Sequence, residues 1–327
     1  MMKTNILVTG TGSLIGQAII KSINRSAFSD HVCLIGCDYF DNTVGSFWCE
    51  RNYLLPDLLD LAKAEDWKET IKEVILKESI KVIFIGVDFE LTYFADIKEE
   101  LQREYDCIVI VSDKKVIQIG NDKYLTYRFL KENGLMAPST VLIDECDKLD
   151  MDFPVIIKPR NGARSRGVEL IKDKESLMQR KGELKGKGYI IQQAIGSMDT
   201  EYTCGILYWN GKFVDSIILK RILKEGNTAF AEYNGNREKK IVEYIRQIGD
   251  KLKPNGSCNL QLRTDDEGDP YLFEVNPRFS GTTYIRALFG YNEVEYVIRR
   301  AIGAKPIELS PKEGRVYRYY EERFIGE

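Results

Sequence analysis

The sequence predicts an α/β fold for its first third and an α+β fold for the remainder, and two observations lead to this prediction. Residues 1–112 alternate short apolar runs with amphipathic stretches, the pattern of parallel strands joined by helices. From about residue 137 onward, strand-like segments dominate and two strong turn signals mark antiparallel hairpins. We therefore expect an N-terminal doubly wound parallel sheet, followed by two antiparallel-sheet subdomains.

In the first third, short apolar runs predict buried parallel strands at Asn5–Thr9, Val32–Cys37, Val82–Ile85 and Ile108–Val111. The amphipathic stretches between them predict helices at Ser13–Ser26, Leu58–Glu78 and Leu91–Tyr105. Two shorter helices are predicted next, at Asp113–Gly120 and Asn121–Gly134, because each stretch ends at a glycine. These two helices separate the parallel sheet from the antiparallel part of the chain.

The antiparallel part begins after Ala137-Pro138, with strands predicted at Val141–Ile143, Val155–Lys158, Val168–Ile171 and Tyr189–Ala194. Two long hairpins follow, turning at Asn210-Gly211 and Asp266–Asp269, with a helix predicted between them at Arg237–Leu252. A last helix is predicted at Val294–Ile302, before a polar tail. The expected units are residues 1–112, residues 113–190 including the two linking helices, and residues 191–327.

Composition argues against several classes of protein. The 327 residues carry a formal net charge of −3, so the global basic footprint of a nucleic-acid-binding protein is absent. No apolar run reaches the length of a membrane span, and no signal peptide is predicted. The 7 cysteines form no CxxC pair, which favours reduced thiols and a cytoplasmic location. With His31 as the single histidine, histidine-based zinc sites and histidine-assisted nucleophilic catalysis are not expected.

The most informative stretch lies near the end of the chain and places a carboxylate, an amide and a guanidinium at alternate positions. Because alternate side chains of a strand share a face, Glu274, Asn276 and Arg278 should point the same way. Phe273 and Val275 should then point into the core. Two oxygen ligands and one fixed cation on one face suit Mg²⁺ and the phosphates that it carries.

A second cluster follows the apolar strand that ends at Lys158. A lysine in such a strand is costly unless it meets an anion. The next stretch, Asn161–Val168, is a glycine-bounded loop with two arginines, which can fold over phosphates and exclude water. It is not a Walker A loop, because GxxxxGK[ST] is absent. A solvated basic turn, with Lys158 reaching the surface, is the alternative interpretation.

Glycines at positions 10, 12 and 16 follow the first strand and open a helix, where they would let the backbone approach an anion. Their spacing is one residue off the dinucleotide-binding fingerprint, so NAD(P) binding is one interpretation and a tight strand–helix turn is the other. Asp38 ends the second strand, where a ribose-binding acid would stand. Asp88 and Glu90 are expected on the same sheet edge, either near a ligand or as acids favoured at a helix N-terminus.

Taken together, these motifs resemble the ATP-grasp superfamily, and most of all a single module of the carbamoyl phosphate synthetase large subunit. The resemblance spans nearly the whole chain and rests on an ordered set: Asn121-Asp122-Lys123, Ile157-Lys158-Pro159, the glycine and arginine loop, Tyr189–Gln193, Asn259–Leu262 and Phe273–Arg278. It implies a pre-ATP-grasp α/β domain followed by an ATP-grasp fold of two antiparallel-sheet subdomains.

The resemblance also implies roles for matching positions. It assigns nucleotide binding to Lys123, Lys158, Gly162, Ser165, Gly167, Gln192, Gln193, Ile195 and Glu201. It assigns metal binding to Gln261, Glu274 and Asn276, and catalytic roles to Arg278, Lys158 and Arg166. The backbone around Gln193 and Ile195 would meet the adenine edge, and Glu201 would meet the ribose. Many relatives carry an acid at Gln192 or Gln193, and Gln261 in place of an acid favours the synthetase branch.

The activity implied by the resemblance is that of an ATP- and Mg²⁺-dependent ligase, with Mn²⁺ as an alternative metal. A carboxylate substrate would be phosphorylated to an acyl phosphate, and an amine or similar nucleophile would displace phosphate. Carbamoyl phosphate synthetase-like activity and a non-catalytic ATP-binding or regulatory protein are the alternatives. An NAD(P)-dependent oxidoreductase would leave the C-terminal two thirds unexplained. Small molecules are the expected partners, without nucleic acid or membrane, and a homodimer is left open.

Overall fold

The computed structural model describes residues 3–148, 151–162 and 166–326. Three sheets follow one another along the chain, with five, four and six strands. The first is parallel and the other two pair their strands antiparallel, which confirms the predicted fold class. Among the described residues, none of the helices has the length and apolar character needed to cross a membrane.

The first sheet is doubly wound. Its strands are β1 (Thr4–Thr9), β2 (Val32–Asp38), β3 (Arg51–Leu54), β4 (Val82–Phe84) and β5 (Ile108–Ile110), in the order β3-β2-β1-β4-β5. Its helices are α1 (Leu14–Arg25), α2 (Ala64–Glu78) and α3 (Leu91–Tyr105). Side chains of β1 alternate between two cores, because α1 covers the face of Ile6 and Val8 while α2 and α3 cover the face of Leu7. All five strands therefore end at one shared edge.

Two helices, α4 (Lys114–Asn121) and α5 (Lys123–Glu132), lead from the first sheet to the second. The second sheet consists of β6 (Thr140–Leu142), β7 (Val155–Pro159), β8 (Glu169–Ile171) and β9 (Tyr189–Gln193), in the order β6-β9-β7-β8. A further helix, α6 (Lys174–Leu184), precedes β9. Because α6 buries Leu177 and Leu184 and is otherwise mostly polar or charged, it lacks the apolar stripe that predicts a helix.

The third sheet is the largest. Its strands are β10 (Glu201–Trp209), β11 (Lys212–Lys224), β12 (Asn227–Tyr233), β13 (Gly256–Thr264), β14 (Pro270–Asn276) and β15 (Gly314–Tyr317), in the order β14-β13-β10-β11-β12-β15. Its helices are α7 (Lys239–Leu252), α8 (Thr283–Phe289) and α9 (Glu293–Ala301). The predicted turn between β10 and β11 is present, with φ values of 49° at Asn210 and 72° at Gly211, as a type I′ turn requires. The predicted polar tail contains β15.

Two contacts bring the first sheet to the third. Phe279, which follows β14, packs against Phe84 at the end of β4, with ring centroids 5.3 Å apart. Gly281 lies so close to Leu14 that an added Cβ would stand 2.7 Å from the leucine side chain. The carboxyl edge of the first sheet is therefore placed beside the end of β14, where the sequence predicts phosphate chemistry.

Candidate functional site

A cleft of about 240 Å³ lies between the second and third sheets. Among the described residues, five basic and two acidic side chains line it: Lys123, Lys158, Arg166, Arg221, Arg263, Glu201 and Glu274. Further predicted site residues in its wall are Gly162, Gln192, Gln193, Ile195 and Gln261. This excess of positive charge favours a polyanionic ligand, because a cleft with a net positive lining concentrates anions.

Lys158 is buried at the cleft rather than exposed, so the alternative of a lysine that reaches the surface is wrong. Its side chain retains 5% of its accessible surface, and its Nζ donates to Gln192 Oε1 at 2.7 Å. Gln192 in turn donates to Thr140 Oγ1 at 2.9 Å, which fixes the amide. Burial, with a smaller contribution from the nearby charge of Lys123, lowers the pKa of Lys158 to about 7. A phosphate would reverse that shift.

The predicted phosphate loop is tied to α5 by Lys123. Lys123 Nζ donates to the carbonyl oxygen of Gly162 at 2.9 Å. Gly162 has a φ of 137° and Gly167 has a φ of 70°, values that favour glycine at both ends of the loop. Arg166 lines the cleft, whereas Ser165 lies outside the described residues. The structure thus places the two ends of the loop beside the cleft.

A row of hydrogen-bonded side chains crosses the wall that the third sheet contributes. It begins at Glu201, which accepts from Arg221 Nε at 3.0 Å and from Arg263 Nη2 at 2.9 Å. Arg221 Nη2 also donates to Gln261 Oε1 at 2.7 Å. Gln261 Nε2 donates to Glu274 Oε1 at 3.2 Å, which links β13 to β14. Arg221 and Arg263 therefore belong to the cleft.

The row continues from Glu274 to the first sheet. Asn276 Nδ2 donates to Glu274 Oε1 at 2.8 Å, and Arg278 Nη2 donates to Asn276 Oδ1 at 2.9 Å. Arg278 Nε donates to Asp88 Oδ1 at 2.6 Å. We call this set the polar row: Glu201, Arg221, Arg263, Gln261, Glu274, Asn276, Arg278 and Asp88. The structure brings together the three residues predicted to share a face and adds Asp88, which follows β4 of the first sheet.

The prediction that Phe273 points into the core is wrong. Gln261 pairs with Glu274, but the pairing then shifts, so Phe273 is an extra residue in β14 and forms a β-bulge. Phe273 consequently lines the cleft, with its ring 5.5 Å from Lys158 Nζ. Val275 is buried as predicted. The bulge turns two consecutive side chains, Phe273 and Glu274, toward the ligand space.

The backbone predicted to meet a nucleobase is open at one position. The Gln193 N–H donates to the Ser139 carbonyl oxygen at 2.8 Å, so that amide is already engaged. Ile195 lines the cleft, and within the described ranges no hydrogen bond engages its N–H or C=O. Ile195 is only half-buried, so of these two positions it is the one whose backbone groups are open to a ligand in the cleft.

The glycine turn after β1 is closed by the protein's own groups. The Gly12 N–H donates to Asp38 Oδ2 at 2.6 Å, and Thr11 Oγ1 donates to the same oxygen at 3.1 Å. A Cβ on Gly16 would stand 2.1 Å from the Gly10 carbonyl oxygen, so glycine is needed for close packing. These contacts favour the tight-turn interpretation over NAD(P) binding, because a carboxylate occupies the amide that a phosphate would use.

Glu90 lies on the predicted sheet edge but is fully buried. It accepts hydrogen bonds from Thr9 Oγ1 and, at 2.6 Å, from the Tyr39 hydroxyl. Burial raises the pKa of Glu90 to about 7, although both hydrogen bonds oppose the shift. Asp88, two residues earlier, is half-exposed and contacts Arg278. Of the two acids, Asp88 therefore belongs to the site.

Gln261, Glu274 and Asn276 carry one carboxylate and two amide oxygens, the hard ligands that Mg²⁺ prefers. Both amides donate their N–H groups to Glu274, and their oxygens accept from Arg221 and Arg278, so a bound metal would have to turn the amides away from these arginines. Glu274 Oε1 accepts two hydrogen bonds, whereas no donor to Oε2 is found in the described part of the chain. The same part contains no group of three or more His, Cys, Asp and Glu side chains placed to hold a metal. A site here would therefore depend on the amides.

Two sequence comparisons relate the chain to known proteins. A family described as "ATP-grasp in the biosynthetic pathway with Ter operon" matches residues 197–322, which carry most of the polar row. The carbamoyl-phosphate synthase of Methanobrevibacter smithii is 27% identical over 248 residues, covering 71% of this chain and 66% of the synthase. The chain spans between 45% and 66% of the length of the first curated relatives that it matches.

Solved structures show the same fold. The L-amino acid ligase from Bacillus licheniformis has a TM-score of 0.72 at 18% identity, covering 95% of this chain and 78% of the ligase. N5-carboxyaminoimidazole synthetase from Staphylococcus aureus, complexed with ADP, has a TM-score of 0.74 at 14% identity, covering 95% and 80%. Residues 197–322 match an ATP-grasp family, and the chain as a whole shares the fold of these two solved enzymes.

Proposed function

We propose that this protein is an ATP-dependent, ADP-forming ligase that activates a carboxylate as an acyl phosphate and joins it to an amine or a similar nucleophile. The observation that carries the proposal is the polar row beside the basic cleft. Its oxygen ligands lie between Arg221 on one side and Arg278 on the other. That order suits a nucleotide whose phosphates run from the cleft toward Arg278.

In this proposal, Gln261, Glu274 and Asn276 would hold Mg²⁺. When bound, the metal would neutralise the charge of the β- and γ-phosphates. Lys123 and Lys158 would bind phosphate oxygens directly, and the loop that begins at Gly162 would exclude water. These roles extend the predictions drawn from the resemblance and are supported by the cleft's charge.

Arg278 would stabilise the transferred phosphoryl group. Its guanidinium already donates to Asn276, to the Phe279 carbonyl and to Asp88, which leaves further N–H groups free for a ligand. Because three partners fix its plane, it needs little reorganisation when charge develops on the phosphoryl oxygens. This is the arrangement expected of a residue that acts on the transition state.

The proposed reaction has two steps. A carboxylate oxygen of the substrate attacks the γ-phosphorus, and the bond to the β-phosphate oxygen breaks, which releases ADP. The nucleophile then attacks the acyl carbon, phosphate departs with the bonding electron pair, and the nucleophile loses a proton. Neither step needs a side-chain nucleophile, which fits a chain with a single histidine.

A carbamoyl phosphate synthetase-like reaction is the second candidate. The relative from Methanobrevibacter smithii carries the name carbamoyl-phosphate synthase, and Gln261 in place of an acid favours that branch. The solved ligases of similar fold favour the broader class, because their names cover an amino acid ligase and a carboxyaminoimidazole synthetase. The two candidates differ in the acid that is activated.

Release of ADP and phosphate, measured with MgATP and a panel of acid–amine pairs that includes bicarbonate with ammonia, tests the proposal. We expect release to require an acid, and Lys158→Ala and Glu274→Ala to lower it about 100-fold or more. Lys220→Ala is the matched control, because this lysine is exposed on the same strand as Arg221. MgATP binding unchanged by both site substitutions would refute the site. Stoichiometric MgATP binding without turnover would favour a non-catalytic nucleotide-binding protein.

A further inference from the structure

A buried ion pair lies beneath the polar row. Arg286 on α8 and Glu293 on α9 are both fully buried, and Arg286 Nη1 lies 3.0 Å from Glu293 Oε1. Removing two charges from water is costly, and apolar side chains of similar volume often stabilise a core as well or better. The pair therefore requires an explanation other than stability alone.

The second terminal nitrogen of Arg286 holds the 277–282 segment, which joins β14 to α8. Nη2 donates to Ser280 Oγ at 2.6 Å and to Thr282 Oγ1 at 3.1 Å. It also donates to Asn259 Oδ1 at 3.2 Å, and Asn259 is the residue of β13 that pairs with Asn276. One buried cation thus connects the segment to the strand that flanks the proposed metal ligands.

The same segment carries Arg278. The Arg278 N–H donates to the Asn276 carbonyl oxygen at 2.8 Å, and Arg278 Nη1 donates to the Phe279 carbonyl oxygen at 3.0 Å. Because Phe279 directly precedes Ser280, the anchor at Ser280 fixes the position of this acceptor. The path of hydrogen bonds therefore runs from Arg286 through Ser280 and Phe279 to the guanidinium of Arg278.

We propose that Arg286 is a positioning residue for phosphoryl transfer, which fixes the 277–282 segment so that Arg278 faces the transferred group. The inference rests on the proposed function, because it takes up the role of Arg278. Gly205 on β10 supports it: a Cβ there would stand 2.1 Å from Arg286 Nη1. The strand thus omits a side chain where the guanidinium lies, and only a glycine leaves room for this arrangement.

Aluminium fluoride with MgADP provides a test that needs no acid substrate, because it mimics the phosphoryl group in transfer. Calorimetry measures MgADP affinity with and without aluminium fluoride. In the wild type, aluminium fluoride should increase the affinity for MgADP about tenfold or more, and Arg278→Ala should abolish this increase. Arg286→Met combined with Glu293→Gln, which leaves no lone buried charge, should lose most of the tightening. Its affinity for MgADP alone should stay within about twofold of the wild type.

Two further variants complete the experiment. Gly205→Ala leaves both charges in place but displaces the guanidinium, so it should reproduce the loss if the double variant fails to fold. Glu295→Gln combined with Arg299→Met is the matched control, because it removes a 2.8 Å ion pair of α9 that does not touch the segment. This control should retain the full tightening.

The outcomes separate the two proposals. Loss of tightening in the Arg286 and Gly205 variants, with the control unchanged, supports the positioning role. Full tightening in those variants overturns it, as does an equal loss of affinity for MgADP alone, which would indicate a purely structural role. If aluminium fluoride fails to increase the affinity of the wild type for MgADP, the proposed phosphoryl transfer is itself wrong, and the positioning role is then wrong as well.

Discussion

Lys158 shows how one residue couples the fold to its ligand. It ends an apolar strand, so the chain buries it, and burial lowers its pKa to about 7. The Gln192 oxygen supplies a hydrogen bond but no compensating charge. A bound triphosphate would supply that charge and raise the pKa again. Nucleotide binding and protonation of Lys158 should therefore be linked.

From this linkage we predict that MgATP binding takes up a proton above a pH of about 7. The empty site then holds a neutral lysine and the occupied site a charged one, so affinity should fall as pH rises, by at most about tenfold per pH unit. Below a pH of about 7 both states are charged, and this dependence should vanish. Calorimetry in buffers of different ionisation enthalpy measures the uptake. Lys158→Arg, which stays charged, is the control, and zero uptake at a pH of about 8 would contradict the prediction.

At the residue scale, the sequence predicted those positions that follow from strand alternation. Glu274, Asn276 and Arg278 share a face because the side-chain period of a strand is 2. The contact between Arg278 and Asp88 joins positions 190 residues apart, so no local pattern contains it. No sequence pattern indicated that Arg286 is buried either, because a basic residue is normally predicted to have an exposed side chain.

At the scale of elements, β14 shows where alternation fails. The bulge at Phe273 exists because β13 has one residue fewer at that point, which is a property of the pair of strands. Similar reasons explain three of the elements that were not predicted. β3 is short and mostly exposed, α8 spans 7 residues, and β15 is an edge strand in a polar tail. Each of them depends on neighbours that the local sequence does not specify.

Because of the bulge, we predict that substitutions of the adjacent residues Leu272 and Phe273 lower the free energy of unfolding by different amounts. Leu272, 1% exposed, faces the core, so Leu272→Ala should lower the free energy of unfolding by about 2–5 kcal/mol. Phe273→Ala should lower the free energy of unfolding by less than the roughly 3–5 kcal/mol that replacing a core phenylalanine by alanine costs. It should instead weaken MgADP binding about 2- to 5-fold, because it removes a ring near two cations of the cleft. Urea denaturation and calorimetry measure the two effects, and the reverse pattern would argue against the bulge.

At the scale of the whole molecule, the first and third sheets share one apolar core. Ile6 and Val8 of β1 lie in the same buried cluster as Leu207 of β10 and as Val294 and Val297 of α9. The surface between these parts is therefore apolar, unlike the polar interfaces of domains that move independently. The first sheet is needed to cover the third.

We therefore predict that residues 113–327 do not fold alone. The fragment would expose the apolar side of α9 and of β10, which favours aggregation. Circular dichroism and size-exclusion chromatography of the fragment, beside the full chain under the same conditions, test this. A monomeric fragment with a cooperative unfolding transition at the temperature of the full chain would show that the two parts are independent.

The polar row has a consequence for how this protein can evolve. Acidic and basic members alternate along it from Arg263 to Asp88, with amides between some of them, so each charge inside the row contacts two neighbours. Reversing one charge inside the row leaves both neighbours mispaired. The resulting loss of stability depends on which side chains occupy the neighbouring positions. Substitutions in this wall should therefore be tolerated in compensating pairs. Single substitutions should accumulate slowly here, and several positions should change together when the protein adopts a new substrate.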